Sequence, residues 1–532
     1  MPADLILTGG VIHATRLDHP PVEALAVERG RILATGPADE IAALAGPRTQ
    51  VRDLGGATVI PGLVDVHTHH AIGGRADLFE LSFPPSAMLD EVLEAVRGYA
   101  AAAPPGSWIT GGSWGSTLID LVATEVALER LDAASGDHPV VLTDDSHHNR
   151  WANSRALELA GVRAPGGLLL EADGLAVERA RIAAGGDLTP EQHRAASRRG
   201  VEILGGYGVT AFQDAGVSLQ ILQALAALDE AGELDAWVVS SVLVNDQIFG
   251  FDPVGEPLIA RAHEYRTEHH RPDFVKIFLD GVPPARTGAF LEPYLADEAH
   301  GAHFHGTPAM AAGELYDWLR SAAERGLSAK IHCTGDASAR LVLDTVELLR
   351  SEGFTATRFQ IAHGQFLAES DLPRLAELGV SADISPFIWT PGVIPRAIAA
   401  VLPADRAERM QPNRALLDLG TVVAAGSDWP VCESPNPWVG IQGLVTRADP
   451  SGAYPGTLWA EQAMTLPEAL AAFTISGAEA MGLADVTGSL EPGKSADFVI
   501  LDRDPLTTPI GELYRVRAIE TWFAGRRVFA AA

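Results

Sequence analysis

The chain alternates short apolar runs with helical patterns over most of its length, and this alternation restricts its fold more than any other feature. The helical patterns include "DASARLVLDTVELLRSEG". The apolar runs are "GLVDVHTHH", "VVLTDDS", "VTAFQDAG", "FVKIFLDG", "SAKIHCTGD", "FQIAHG", "VSADISP" and "VVAAGSD". Strands that alternate with helices favour a parallel sheet, because each crossover needs a helix. Eight such runs fit a (β/α)8 barrel, although a doubly wound sheet gives a similar pattern.

Both ends of the chain are rich in short strand patterns separated by Gly-Gly and Arg-Gly pairs. Residues 1–58 and 486–532 are therefore predicted to form one small β domain from both termini. Residues 59–485 are predicted to form the barrel. The stretch at about 71–160 is long for one barrel unit and is predicted to carry an insertion.

The composition narrows the choice of partners and compartment. The 532 residues carry a formal net charge of −30, and a negative surface repels phosphates, so nucleic acid and anionic membranes are not expected partners. Two cysteines, Cys333 and Cys432, do not make a disulfide framework. The sequence shows no signal peptide and no apolar run of about 18 residues. We expect a soluble cytoplasmic protein that acts on a small molecule.

Residue types that bind metals lie near the ends of several apolar runs. In a parallel barrel the C-terminal ends of the strands share one face, where catalytic groups cluster. A single strand histidine is more often a hydrogen-bonded core residue, and Asp in "GSD" is more often a turn residue. The shared position of the whole set instead indicates a metal site formed by His67, His69, His332, His363 and Asp428.

His67 and His69 are two residues apart in the first run. Side chains at i and i+2 point to the same side of a strand, so both imidazoles face one point and form half of a metal site. Thr68 and His70 face the other way, and His70 is not expected to be a ligand.

Lysine is nearly absent: of 39 basic residues, only Lys276, Lys330 and Lys494 are lysines. Lys276 lies inside "DFVKIFLDG", where an unpaired charged amine costs free energy. One interpretation pairs it with a buried carboxylate such as Asp280. In the other, burial lowers its pKa, and the neutral amine adds carbon dioxide to become a carbamate that bridges two metals. Lys330 lies near the start of its strand, away from the other ligands, and Lys494 lies in a turn pattern.

Several longer stretches carry a family resemblance through nearly the whole chain. They are "VIPGLVDVHTHH", "HNRWANSRALELAG", "GVTAFQDAG", "VKIFLDGVPPARTGAFLEPY", "IHCTGDASARLVLDTVE", "FQIAHGQFL", "VVAAGSDWPV" and "GSLEPGKSADFVILDRDP". With these stretches the sequence resembles the amidohydrolase superfamily, and most closely the branch of N-substituted formamide deformylases and related metal-dependent amidases. The resemblance implies a (β/α)8 TIM barrel with a small β-sandwich domain built from both chain termini.

The resemblance also implies a binuclear metal centre, usually zinc. By resemblance, His67, His69 and Asp428 bind one ion, and His332 and His363 bind the other. Lys276, as its carbamate, bridges the two ions together with a hydroxide, whereas some branches use a glutamate bridge or a single metal. Asp428 is expected to act as general base and then as general acid.

Other residues are candidates for the substrate pocket. His148, in "DDSHHNRWANS", aligns with a family histidine and is a candidate for polarising the substrate carbonyl, with loop hydrogen bonding as the alternative. Asp336 is interpreted as a helix cap. The candidate substrate-binding residues are Trp114, Asp280, Arg286, Trp389 and Trp429, although Arg286 and Asp280 could simply pair with each other.

Together these features predict a metal-dependent hydrolase of a carbon–nitrogen bond other than a peptide bond. The expected substrate is an amide, N-substituted formamide or carbamate with an apolar substituent. An ester, lactone or cyclic imide at the same centre is the first alternative. A mononuclear deaminase and a metal-binding scaffold without turnover are further alternatives. Dimers are common in the family, so a homodimer is one expectation.

Overall fold

An eight-stranded parallel sheet lies at the centre of the structure, a computed structural model that describes residues 2–531. Its strands pair in chain order, each with the next. We number them β1 to β8: Leu63–Thr68, Val209–Val217, Trp237–Leu243, His270–Phe278, Ser328–Cys333, Phe359–His363, Val380–Ile384 and Val423–Ala425.

The two outermost strands, β1 and β8, approach each other and bring the sheet round into a near-closed barrel. Thr68 at the end of β1 forms a parallel bridge with Trp429. The N–H of Asp428 donates to the carbonyl of His67 at 2.6 Å. All nine residues of β2 are buried, as expected for strands covered on both faces. The predicted barrel is confirmed, and the doubly wound alternative is excluded.

One run was assigned to the wrong sheet. "VVLTDDS" forms the strand Val140–Asp144, which belongs to a separate four-stranded sheet, while β3 takes the place in the barrel. The sequence of β3, "WVVSSVL", ends in no residue that binds metals, whereas "VVLTDDS" ends in aspartates. The four-stranded sheet lies between β1 and β2 in sequence and contains Ile109–Trp114, Val140–Asp144, Arg150–Ala152 and Leu168–Leu169.

Helices accompany the strands of both the barrel and the four-stranded sheet. Around the four-stranded sheet they are Leu89–Ala102, Ile119–Val122, Glu125–Ser135, Ser154–Ala160 and Leu175–Ala183. Around the barrel they are His70–Phe79, Pro190–Gly206, Leu219–Glu230, Glu256–Ala262, Ala312–Glu324, Asp336–Ser351, Leu372–Leu378, Val393–Ala399, Ala404–Ala407, Asn413–Asp418, Pro437–Thr446, Leu466–Ala472 and Ile475–Ala480. Among these helices of residues 2–531, none combines the length and apolarity needed to cross a membrane.

Strands from the two chain ends hydrogen-bond into one further eight-stranded sheet. It contains Leu5–Ile12, Val22–Glu28, Arg31–Gly36, Gln50–Asp53, Thr58–Pro61, Phe498–Leu501, Ala518–Phe523 and Arg526–Ala530, with the helix Ala38–Ala42 between its strands. The predicted domain boundaries and the assignment of this sheet to a β-sandwich stay predictions. Cys333 and Cys432 are both free and buried.

Candidate metal centre

The barrel brings the predicted ligands together although they are far apart in sequence. His67 lies in β1, Lys276 in β4 and His332 in β5, close to the C-terminal end of each strand. One cavity of about 580 Å³ is lined by His67, His69, Lys276, His332, His363 and Asp428. This is the end of the barrel where side chains from different strands can act on one substrate.

His67, His69 and Asp428 form the first group of ligand atoms. Each offers one atom, and these atoms lie within 4.8 Å of one another. Asp428 Oδ1 is 3.5 Å from His67 Nε2 and 3.6 Å from His69 Nε2. Two ligands held at about 2.1 Å from a tetrahedral zinc ion are roughly 3.4 Å apart. The spacing therefore fits a divalent cation between these three side chains.

His332 and His363 form a second pair beside the first group. His332 Nδ1 is 3.1 Å from His363 Nε2, and Asp428 Oδ2 is 3.8 Å from His363 Nδ1. His332 Nε2 lies 3.3 Å from the carbonyl oxygen of Gly281. Because a carbonyl only accepts, Nε2 carries the proton and Nδ1 keeps a free lone pair. Two imidazole nitrogens at this spacing also suit one cation.

Burial keeps all four imidazoles neutral, which is the form that binds metals. Desolvation by burial lowers the pKa of His67, His69, His332 and His363 well below the ordinary value, and nearby positive charges lower it further. Burial also raises the pKa of Asp428 to about 8, while the Lys276 ammonium opposes that shift.

Lys276 has no carboxylate partner within 4.0 Å among residues 2–531. Its side chain is buried, and its Nζ lies 4.6 Å from the centre of the Phe278 ring. Burial and the neighbouring Lys330 lower the pKa of Lys276 to about 7. The proposed pairing with Asp280 is absent, because the Asp280 carboxylate accepts the backbone N–H groups of Ala289, Thr334 and Gly335.

Two of the candidate ligands have a strained backbone. His363 has φ 71° and Asp428 has φ 57°, both in the left-handed region. Such conformations cost of order 1–3 kcal/mol each and cluster at functional sites. For Asp428, the N–H bond to the carbonyl of His67 holds this conformation. The strain places the Asp428 carboxylate between the two histidine groups.

Sequence reasoning missed Asp383, which holds His67 in place. Asp383 Oδ2 is 2.7 Å from His67 Nδ1 and also accepts from Lys330 Nζ. The Nδ1 proton is thereby fixed, so that Nε2 faces Asp428. Lys330 is therefore buried in an ion pair with Asp383, so it is not the lysine that is a candidate for the metal bridge. The strand "VSADISP" was recognised, but its aspartate was not among the candidates, although it too sits near a strand end.

His148 lines the same cavity and is held by a residue that the sequence did not single out. His148 Nδ1 is 2.6 Å from Glu171 Oε2, and Thr287 Oγ1 donates to Glu171 Oε1 at 2.5 Å. The His148 ring lies 4.7 Å from the ring of His332. Burial lowers the pKa of His148, but the Glu171 carboxylate raises it by more, so that the pKa lies above its ordinary value. No local sequence pattern marks Glu171.

Of the candidate aromatic residues, only Trp389 lines this cavity. Its ring centre is 6.5 Å from that of His363. Trp114 is fully buried in the core of the four-stranded unit, where its Nε1 is 3.4 Å from the carbonyl of Leu142. Trp429 lines a neighbouring groove and packs against Gly73. The sequence does not show that the side chains of Trp114 and Trp429 lie outside this cavity.

The remaining candidates have structural partners. Arg286 Nε pairs with Asp297 at 2.8 Å and does not line the cavity, so neither predicted role applies in this structure. Asp280 is used by backbone N–H groups, as described above. His70 Nδ1 is 2.5 Å from Asp214 Oδ2 and lies outside the cavity. Asp336 begins the helix after β5, and its carboxylate accepts from Leu291 N at 2.8 Å.

The chain belongs to the amidohydrolase family, whose family model matches residues 50–529. This confirms the resemblance described above. The chain is 29% identical to N-substituted formamide deformylase of Arthrobacter pascens, over 98% of this chain and 97% of that one. It is 25% identical to the putative amidohydrolase YtcJ of Bacillus subtilis, over 98% of both chains.

Solved structures show the same fold. A metal-dependent hydrolase of Pyrococcus horikoshii superposes with a TM-score of 0.75 at 24% identity, over 95% of this chain and 99% of that one. A second metal-dependent hydrolase, from Pyrococcus furiosus, superposes with a TM-score of 0.72 at 25% identity, over 94% of this chain and 100% of that one. Family, relatives and ligand geometry together support a metal-dependent hydrolase of the amidohydrolase superfamily, a group that acts on small molecules.

Proposed function

We propose that this protein hydrolyses the carbon–nitrogen bond of a small amide, N-substituted formamide or carbamate with an apolar substituent. The observation that carries the proposal is the convergence of four neutral imidazoles, one carboxylate and one unpaired buried lysine in a single cavity. The deformylase relative supports the bond type. Such bonds need a strong nucleophile and a proton donor for the leaving nitrogen, and this donor set can organise both.

The donor set fits two divalent cations, which we propose to be zinc. His67, His69 and Asp428 would hold one ion, and His332 and His363 the other. Lys276 would bridge them after its neutral amine adds carbon dioxide and loses a proton, which gives an anionic two-oxygen group. When bound, the cations lower the pKa of water and polarise a carbonyl oxygen.

The protein side chains would then move protons and orient the substrate. Asp428 takes the proton from the attacking nucleophile and delivers it to the leaving nitrogen. His148 has its Nδ1 committed to Glu171, so its Nε2 is available to donate to the substrate carbonyl oxygen. The apolar substituent would contact the cavity wall formed by Phe278, Val282, Pro283, Ile388, Trp389, Ile394 and Val431.

Two further reactions suit the same geometry. An ester, lactone or cyclic imide presents the same carbonyl to the same nucleophile. A mononuclear deaminase would use only the group of His67, His69 and Asp428, which alone satisfies a three-ligand site. A cytoplasmic location and a homodimer remain proposals from the sequence.

A substrate panel on zinc-loaded protein tests the proposal. N-alkyl and N-aryl formamides, the matched esters and amino-substituted heterocycles would be assayed in parallel for amine, alcohol and ammonia release. We expect amine release from the formamides, and its loss in Asp428→Asn with the same fold by circular dichroism. Ammonia release from heterocycles alone would contradict the proposal and favour the deaminase.

A further inference from the structure

A second cavity of about 650 Å³ adjoins the metal cavity. His147 and Ile248 line both of them, so the two spaces meet at these side chains. Its other walls are contributed by the helix that follows β1 and by the four-stranded unit. A substrate held at the metal centre would have to extend past these two side chains to enter this cavity.

Much of the wall of the second cavity is apolar. The apolar lining residues are Ala71, Ile72, Val141, Ile221, Ile248, Phe249 and Phe251. An alkyl or aryl arm of a substrate would be stabilised here by burial of its apolar surface. Apolar walls with a few placed polar groups are typical of small-molecule sites.

Two of the charged residues in the wall are already paired with other groups of the protein. Glu178 accepts from Arg150 Nε at 2.9 Å through one oxygen and from Arg181 Nε at 3.0 Å through the other. The terminal nitrogens of Arg150 donate to the carbonyls of His147, Asn149 and Ile248. Arg150 keeps only one terminal N–H beyond these contacts, so it cannot offer a carboxylate two parallel N–H groups.

Arg75 differs from these residues. Its Nε lies 2.6 Å from Glu80 Oε1, and its side chain, 19% exposed, lines the cavity. Within the part of the chain that the structure describes, none of its nitrogens donates a hydrogen bond to protein, the terminal pair included, and Nε contacts Glu80 only as an ion pair. A guanidinium with both terminal nitrogens free presents parallel N–H groups that match the two oxygens of a carboxylate.

We propose that the second cavity is a substrate subsite that binds an apolar arm ending in a carboxylate, with Arg75 as the residue that recognises the carboxylate. The inference rests on the proposed function, because the reacting carbonyl must sit at the metal centre. The substrate class then becomes an amide or formamide whose apolar arm carries a distal carboxylate.

The charged groups of the cavity wall would bind a substrate carboxylate through a directed contact with Arg75, and not through a general positive charge of the cavity. Arg75 and Arg150 are matched in the wall by Glu80 and Glu178, so the cavity carries no net charge from these groups. The Glu178 oxygens are covered by arginines, and Glu80 also accepts from Thr110 Oγ1 at 3.2 Å. A carboxylate is therefore favoured only where it reaches the Arg75 terminal nitrogens, which sets both the length and the end group of the arm.

The test uses hydroxamic acids, which chelate the metal and carry an arm that ends in either a carboxylate or a methyl group. Binding of a series of increasing chain length to zinc-loaded protein would be measured by titration calorimetry. At one arm length we expect the carboxylate-ended compound to bind about tenfold more tightly than its methyl-ended match, as one charge-assisted contact gives. Short hydroxamates should show no such preference.

Matched variants locate the contact. Arg75→Met combined with Glu80→Gln keeps the charge balance and should abolish the carboxylate preference. Thr143→Phe narrows the cavity without removing a charge and should weaken only the long compounds. Arg199→Met removes an arginine that lies outside this cavity and pairs with Asp77, so it should leave the preference intact.

The outcomes separate the two proposals. Tight hydroxamate binding with no carboxylate preference at any length would overturn the subsite alone. A preference that survives in the Arg75 and Glu80 double variant would also overturn it. Absence of binding for every hydroxamate would overturn the proposed metal centre, and the subsite with it.

Discussion

At the scale of single residues, the sequence singled out the candidate ligands, which line one cavity, but not the residues that support them. The spacing of His67 and His69 and the position of His332 at a strand end carry their own signal in the sequence. Asp383 lies 316 residues from the His67 that it orients, and Glu171 has no motif. Such partners are defined by the folded structure, so only coordinates reveal them.

Lys276 is the proposed ligand whose removal is most informative. Lys276→Ala should bind fewer metal ions. Loss of a residue that only orients a metal ligand lowers activity roughly 10–100-fold, and loss of the bridging residue itself should lower activity more than that. Short carboxylic acids should partly restore both, because they replace the two oxygens of the carbamate. Elemental analysis and amide turnover are the measurements, with Lys494→Ala as control. Unchanged metal content would contradict the bridge.

The pH dependence of metal loading follows from the pKa of about 7 for Lys276. Only the neutral amine adds carbon dioxide, so zinc loading of metal-free protein with bicarbonate should rise as the pH increases through about 7. The histidine ligands are already neutral there, because their pKa values are lowered. Loading measured by elemental analysis should rise through about pH 7 in the wild type, and in Lys276→Ala only the later rise from Asp428, whose pKa is raised to about 8, should remain. A flat wild-type profile would argue against the carbamate.

His148 should affect turnover without affecting metal binding. His148→Ala removes one proposed donor to the carbonyl oxygen, and loss of such a donor lowers kcat by about 10²–10³-fold. Glu171→Gln should lower kcat less, since the imidazole stays but loses its charged partner. Steady-state kinetics and zinc content are the readouts, with the exposed His300→Ala as control. A normal kcat in His148→Ala would contradict a role in catalysis and leave His148 only its hydrogen bond with Glu171.

At the scale of elements, the strand-end pattern predicted the barrel but misassigned one strand. "VVLTDDS" has the apolar run and polar end of a barrel strand, yet it belongs to the four-stranded sheet. β3 was missed because its polar residues, Ser240 and Ser241, lie inside the strand and are fully buried. Ser241 Oγ accepts from Gln213 Nε2 of the neighbouring strand β2 at 3.0 Å, a contact that no local pattern encodes.

The junction of β1 and β8 depends on a glycine. A Cβ on Gly426 would lie 2.4 Å from the nitrogen of His67 and 2.5 Å from its Cβ. Gly426→Ala should push β8 away from His67 and cost about 1–3 kcal/mol of stability, with weaker metal binding because Asp428 moves too. Thermal unfolding and zinc titration test this, with Gly313→Ala, which has open space around it, as control. Wild-type behaviour would mean that the junction tolerates the added methyl group.

At the scale of the whole molecule, the terminal sheet is joined to the barrel through buried polar contacts. Asp497 Oδ2 accepts from Trp237 Nε1 at 3.1 Å, and the N–H of Gly62, just before β1, donates to the Asp497 carbonyl at 2.9 Å. The strand Thr58–Pro61 lies in the terminal sheet and leads directly into β1. The pairing of both chain ends was predictable from their shared composition. The contacts that fix this sheet against the barrel were not, because Asp497 lies 260 residues from Trp237.

The central claim is that strand-end residues of this barrel hold a two-metal hydrolytic centre. The most direct test is elemental analysis of protein purified without added metal, with amide turnover measured before and after chelation. The account predicts about two zinc or similar ions per chain, as in two-metal hydrolases, and turnover that chelation abolishes and zinc restores. Protein without metal, with turnover indifferent to the chelator, would contradict it.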